Sequence, residues 1–316
     1  MLKYGSFILF LISISLCQAQ NRDQSNWIDF GSSHSSKWLQ IAPGKMGPNA
    51  LPVPKLDYAR VGTKSKLETG AHFHFMPGDT AINSHFSWYW NIAPGRAAVE
   101  IWGQPSETFR MTNDIRDERQ IFYDDEGWTT QIGDLYISTF IQIIEQHRFL
   151  PDLTISYTHK TTTGSNYHAR YTDAALDYYC FALGRSFFFE NPFIDEIRIA
   201  AMAGFYVWQV NKVEMAQDEG PVVIAALQIR KQNWNIFNEF GGYSGYDAYN
   251  HLNNVYGEGS VQGHNDPLIY RLRLEKTGQR FNFSAEYQTG FRDYRYQTFR
   301  LGVSYNITPQ NFLNQN

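Results

Sequence analysis

The sequence predicts an all-β fold, an antiparallel transmembrane β-barrel of about 12 strands, and three features carry that prediction. From residue 67 onward, apolar and polar residues alternate with period two over segment after segment. The segments are joined by connections that are alternately short and long. The chain opens with an export signal, and beyond it no apolar run approaches the ~20 residues of a membrane-spanning helix.

Residues 1–19 read as a secretory signal peptide. Lys3 precedes the apolar run from Phe7 to Leu16, and Cys17-Gln18-Ala19 sets small residues at the cleavage positions before Gln20. The alternative is acylation of Cys17, but bulky Leu16 stands where a lipoprotein signal wants a small residue. Signal removal leaves one thiol, Cys180, so stability has to come from burial and strand closure rather than from an internal disulfide.

Aromatic residues make up 16% of the 316, charged residues 18%, and the net charge is -4. A chain so rich in aromatics buries too much to be disordered. It lacks the basic surplus of a nucleic-acid binder.

Residues 20–66 show no sustained periodicity. Gly47-Pro48-Asn49-Ala50-Leu51-Pro52-Val53-Pro54 should be extended and polyproline-like, because proline fixes φ and cannot donate to a ladder. Trp27 and Trp38 imply that part of this segment docks, either as a plug in a barrel lumen or against the periplasmic rim.

Strands are expected at 67–76, 84–92, 96–102, 131–145, 152–161, 177–187, 195–210, 221–230, 233–242, 267–276, 280–290 and 295–307. In the first, Leu67, Thr69, Ala71, Phe73 and Phe75 share one face; Glu68, Gly70, His72 and His74 share the other. The last repeats the pattern with Phe299, Leu301, Val303, Tyr305 and Ile307. Alternation by itself does not say which face is wet. The connections decide: those near Ala93-Pro94-Gly95, 146–151, 188–194, Lys231-Gln232 and Thr277-Gly278-Gln279 are short, whereas 103–130, 162–176, 211–220 and 243–266 are long. Long loops at one end and short turns at the other mark a membrane barrel. An even strand count then puts both termini on the periplasmic side, with a tail at 308–316.

The stretches Gly133-Asp134-Leu135, Pro151-Asp152-Leu153 and Lys160-Thr161-Thr162-Thr163-Gly164 resemble the outer-membrane family associated with the meta-pathway of phenol degradation. The resemblance covers roughly a sixth of the chain and implies a channel for small organic molecules. The strand from Phe299 to Ile307 is similar to the terminal strand that such barrels present to their assembly machinery.

Two groups of residues stand out on the polar faces. A symmetric hairpin of the first two strands sets His74 opposite His85 and His72 opposite Ser87, a polar cluster near the external mouth. Clustered imidazoles could bind Zn or Cu, and Ser87 with His72 could act as nucleophile and base. No third ligand is visible from spacing, so neither a metal nor a cofactor is assigned. The second group is Arg271, Arg273, Glu275, Arg280, Ser284, Glu286 and Arg300, with Glu68 and Glu100 on earlier strands. A tight turn at Gly278 pairs Glu275 with Arg280 and brings Arg271 near Ser284 and Glu286, which leaves Arg273 and Arg300 uncompensated.

The loop 103–130 holds acids from Glu107 to Glu126, and Asp124-Asp125-Glu126-Gly127 lacks EF-hand spacing. Gly241 to Asn250 is Gly/Tyr-rich, as expected of rings at a channel mouth or in an interface belt.

These readings converge on an outer-membrane channel or uptake barrel that passes a small solute passively, with lipid and the barrel-assembly machinery as partners and no nucleic acid. Arg271, Arg273, Arg300, Glu286 and Glu100 would line its lumen. A lipid hydrolase of the phospholipase or lipid A deacylase type, and a structural or interaction barrel, are the alternatives.

Overall fold

The computed structural model describes residues 42–56, 58–119, 121, 127–165, 168–172, 175–210, 216–245 and 266–307. The signal peptide, Trp27, Trp38, Asp124 to Glu126, Tyr246 to Asn250 and the tail after Ile307 lie outside them.

Fourteen strand segments form one closed antiparallel sheet: β1 Ser65–Met76, β2 Asp79–Ala93, β3 Ala97–Gly103, β4 Glu107–Met111, β5 Thr129–Gln131, β6 Leu135–Ile144, β7 Asp152–Lys160, β8 Leu176–Phe188, β9 Glu196–Val210, β10 Ala216–Lys231, β11 Trp234–Tyr243, β12 Leu268–Lys276, β13 Phe281–Arg292 and β14 Gln297–Ile307. A short helix of about two turns, α1 Asn113–Arg119, follows β4. β3 pairs with one half of β2 and β4 with the other; β6 and β5 continue those two rows. The wall therefore has twelve staves. It closes where β1 pairs with β14, from Ser65 against Ile307 to Phe75 against Gln297.

The apolar face is the outer one. Large apolar side chains of the alternating series, among them Trp88, Trp90, Phe181, Ile199, Phe240, Leu274, Phe283 and Leu301, are exposed, while Phe73, Phe86, Leu153, Ile155 and Ile197 are half-buried. The intervening His72, Ser138, Thr158, Arg198, Glu239, Arg271 and Thr298 are buried inside. This inversion of the soluble pattern lets the outer wall face hydrocarbon while every backbone group is paired strand to strand.

Three expected boundaries are corrected. β2 begins at Asp79, not 84, because the first hairpin turns over Pro77 and Gly78 alone. Gly78 adopts φ 81°, a conformation strained for other residues, and Ile115 of α1 packs where its Cβ would be. The supposed loop 103–130 contains β4, α1 and β5, which extend the wall upward. β10 begins at Ala216 and pairs with β9 from there, so residues 216–220 of the supposed loop 211–220 are strand. Each extension was hidden because its few apolar residues do not alternate long enough to register.

Ser65 and Ile307 meet at the short-turn end. The described N-terminal segment starts at the opposite end, where Lys45 meets Glu118 of α1 at 2.9 Å. From there the segment descends through the lumen to β1. Its Met46, Ala50, Leu51, Val53, Leu56 and Ala59 form one apolar cluster with Tyr178, Met202, Tyr206, Ile224, Phe237 and Tyr243 of the wall.

The outward Leu301 is 57% exposed in the middle of β14. Leu301→Arg should cost roughly 2–4 kcal/mol near a bilayer midplane. The expected result is loss of the heat-modifiable gel band and of folding into vesicles, with Leu301→Phe folding like wild type.

Candidate functional site: an occupied lumen with a charged side cavity

Prolines remove donors from the inner segment, and an extended chain makes no ladder of its own, so its carbonyls need outside partners. The wall supplies them from inward-pointing tyrosines and arginines. Tyr243 donates to Leu51 O at 2.9 Å and Tyr206 to Pro52 O at 3.3 Å. Arg271 donates to Pro54 O at 2.9 Å and also to Val53 O. Lower down, Arg198 Nε donates to Tyr58 O at 2.8 Å, Val61 N to Gln142 Oε1 at 2.9 Å, and Gly62 N to the Tyr89 hydroxyl at 2.9 Å. Arg60 of the segment meets Asp152 at 3.3 Å, and Asp152 also takes Arg198 at 2.7 Å.

Tyr206 and Arg198 were not singled out from the sequence, although both lie on inward positions of β9. The signal that could have found them is complementarity, since a proline-rich segment offers acceptors and an inward Tyr or Arg offers donors. Tyr243, expected at the mouth, is instead buried against the segment.

At the long-loop end the lumen holds a buried charge layer. Arg170, from the loop after β7, donates to Asp79 at 2.6 Å and through Nε to Glu107 at 2.6 Å. Arg119 of α1 donates to Asp79 at 2.8 Å and to the Tyr296 hydroxyl at 2.8 Å. Tyr171 donates to Glu107, and Asn49 of the inner segment reaches the same carboxylate at 3.2 Å. Two carboxylates face two guanidiniums, the balance that makes so dry a layer tolerable. The segment approaches closely: a Cβ on Gly47 would stand 2.9 Å from Arg170 Nε. Beside this layer, Asp134 and Lys160 pair at 2.6 Å, and Gly164 N donates to Asp134 at 2.7 Å. These residues belong to the short motifs noted in the sequence, so the motifs fasten a loop to the rim.

Between the segment and the wall of β1–β3 and β12–β14 lies a cavity of about 430 Å³. Its lining includes Lys55, Arg60, Lys66, Arg273 and Arg300 against Glu68, Glu100 and Glu275. The expected pairings here are corrected. His72 lies opposite Asn83 and His74 opposite Ala81, because the hairpin closes two residues earlier than a symmetric one. His85 and Ser87 lie opposite Gly70 and Glu68. His72 still stacks on His85, with centroids 4.8 Å apart, and His74 bonds Asn83 at 2.6 Å and Thr298 at 2.9 Å. Ser87 donates to Glu100, not to an imidazole, so the nucleophile and base pairing with His72 is absent. Among the described residues no group of three or more His, Cys, Asp and Glu is placed to hold a metal ion.

On the basic side, Glu275 faces Ser284 and Arg273 faces Glu286, because the β12–β13 turn closes two residues later than supposed. Arg280 lies exposed in that turn. Arg271 is neutralised by Glu239 at 3.1 Å. Arg300 is neutralised by Glu286, which also takes Lys55 at 3.5 Å. The expectation of a free Arg300 is thus corrected. Arg273 makes no ion pair among the described residues; its guanidinium stands 4.1 Å over the Phe237 ring.

Two outcomes follow from the segment's tethers. Arg271→Ala leaves two segment carbonyls and Glu239 without their donor, a loss on the order of 3–5 kcal/mol for a broken buried pair. Amide exchange at residues 49–56 should accelerate steeply while the strand ladder stays protected. Above, Lys45 and Arg295 both grip Glu118 of α1, at 2.9 and 2.6 Å. Burial alone would raise that carboxyl, but the hydrogen bonds from Arg295 and Lys45 outweigh it and hold the pKa at about 2. Because the folded value is depressed, the tether's contribution is complete above the ordinary carboxylate pKa and is lost as pH falls toward 2. Exchange at residues 42–46, corrected for intrinsic rates, should stay constant from pH 7 to about 5 and rise at lower pH, whereas Glu118→Gln should exchange fast throughout.

No family model and no curated protein matches the sequence. Solved structures do resemble the chain. An outer membrane channel from Pseudomonas putida F1 superposes with TM-score 0.49 at 11% identity, over 81% of this chain and 99% of that one. The translocator domain of the autotransporter NalP from Neisseria meningitidis gives 0.39 at 11% identity, over 80% and 91%. The outer membrane phospholipase A from Escherichia coli gives 0.38 at 8% identity, over 85% and 99%.

Proposed function

We propose that the protein is a channel or uptake barrel of the bacterial outer membrane that passes a small polar or anionic solute without an energy source. In this reading the signal peptide directs export and the assembly machinery inserts the barrel. The short turns face the periplasm, and the segment from residue 42 to β1 is the plug. The observation that carries the reading is the polar cavity beside that segment, enclosed by a wall whose outer face is apolar.

A barrel of about 8 strands is filled by its own side chains, and twelve staves leave more room. Here the room is divided between an inner segment and a cavity lined by charge. Of its lining cations, Arg273 and Lys66 make no ion pair among the described residues, whereas Arg60 meets Asp152 and Arg300 meets Glu286. Such charges in a low-dielectric enclosure raise the local concentration of anions. The hydrolase reading, which paired Ser87 with the His72 imidazole, is disfavoured because the Ser87 hydroxyl donates to Glu100 instead.

The test is purified protein in planar bilayers under a salt gradient, with a parallel assay for fatty-acid release. Stepwise conductance with mild anion preference and no lipolysis is expected. Arg273→Glu should move the reversal potential toward cation preference, and Arg300→Gln should move it less because Glu286 already opposes that charge. Lipolysis lost on Ser87→Ala, or a reversal potential indifferent to Arg273→Glu, contradicts the reading.

A further inference from the structure

On the outer wall at the short-turn end, the guanidinium groups of Arg148 and Arg185, on neighbouring elements, are in no ion pair among the described residues. Arg185 occupies the outward face of β8, between Leu183 and Phe187 and in line with Phe181. Its guanidinium carbon stands 5.8 Å from the Phe187 ring centre. The group reaches the neighbouring β6–β7 turn, donating to Arg148 O at 3.0 Å and to Phe149 O at 3.3 Å. Arg148 is exposed on that turn, 5.0 Å over the Phe149 ring. The turn is itself pinned to β8: Ser186 N donates to Gln146 Oε1 at 2.6 Å, and Gln146 Nε2 donates back to Ser186 O at 2.9 Å. Lys231 and Arg96 on this rim are matched, by Asp195 at 2.9 Å and by Glu145 at 3.3 Å.

Large apolar side chains lie on the same two turns. Phe149 is 76% exposed and Phe193, on the β8–β9 turn, 81%. Leu150 beside Phe149 is exposed as well. This surface continues the apolar outer wall without a break, and it ends in fixed positive charge. Such a sequence of environments matches the boundary between acyl chains and headgroups, where aromatic rings settle and an arginine on the apolar face extends its head to the phosphates. A guanidinium binds a phosphate with paired N–H donors, which an ammonium cannot reproduce. A soluble anion would satisfy the charges but leave Phe149 and Phe193 in water.

We propose that Arg148 and Arg185 bind the headgroup of an anionic phospholipid, with Phe149, Leu150 and Phe193 against its acyl region. The proposal rests on the membrane-barrel reading, and the experiment separates the two. Full-length protein folded in neutral detergent is mixed with phosphatidylglycerol or phosphatidylcholine, and retained lipid is counted by native mass spectrometry. In parallel, the protein is floated with vesicles of phosphatidylcholine alone.

Wild type should float and should retain phosphatidylglycerol preferentially. Arg148→Gln with Arg185→Gln should cut that retention about tenfold, equivalent to roughly 1.4 kcal/mol. Arg110→Gln with Arg292→Gln, exposed at the other end, should leave it unchanged, and heat-modifiable migration shows which variants are folded. A folded double variant that retains the anionic lipid like wild type overturns the site. So does a wild type that floats yet holds both lipids equally, or one whose bound lipid inorganic phosphate displaces at the same concentration. A wild type that does not float overturns the membrane reading and this site with it.

Discussion

The closing contact between β1 and β14 is the constraint on which the rest depends. Eleven residue pairs from Ser65–Ile307 to Phe75–Gln297 remove the two edges that an open sheet of this length would present. Once the sheet is closed, each strand has one face toward the outside and one toward a shared interior. The period-two sequence then acts on both at once: Leu301 and Phe299 go out, Arg300 and Ser304 go in. A closed wall of twelve staves also encloses more space than its own inward side chains occupy, and that space decides the remaining architecture.

The interior is filled by a segment that could not be a stave. Pro48, Pro52 and Pro54 deny it a ladder, yet its carbonyls still require donors in a buried place. Tyr206, Tyr243, Arg198 and Arg271 meet that requirement from three strands, β9, β11 and β12. The guanidiniums that serve the segment are themselves neutralised, Arg271 by Glu239 and Arg198 by Asp152. Charge used to hold the segment is therefore not available to a solute. The charges left facing the cavity are others, Arg273 above all, and this division gives the barrel separate structural and cavity-facing sets of basic residues.

The twelve staves and the direction of each face were legible because period two survives any error in register parity that a turn preserves. The pairings were not. Whether His72 faces Ser87 or Asn83 depends on where a turn closes, and that was decided by Gly78 at positive φ and its contact with Ile115 of α1. The segments at 79–83, 107–111 and 216–220 were missed because polar residues and glycine occupy most of them and break the apolar alternation. The interior course of the N-terminal segment depends on contacts such as Arg271 with Pro54, 217 residues apart, which no local pattern encodes. Trp27 and Trp38, which suggested docking, are outside the described residues; the docking seen is made by Met46, Leu51, Val53 and Leu56 instead.

The central claim is that the proline-rich segment lies inside the closed wall against the inward face of β11. A photo-crosslinking amino acid at position 243 tests it most directly, with the same group at outward position 240 for comparison. The account predicts an intramolecular adduct from 243 to residues 49–54, mapped by peptide mass spectrometry, and only lipid or detergent adducts from 240. Absence of the segment adduct from 243 in folded protein, or its appearance from 240, would contradict it.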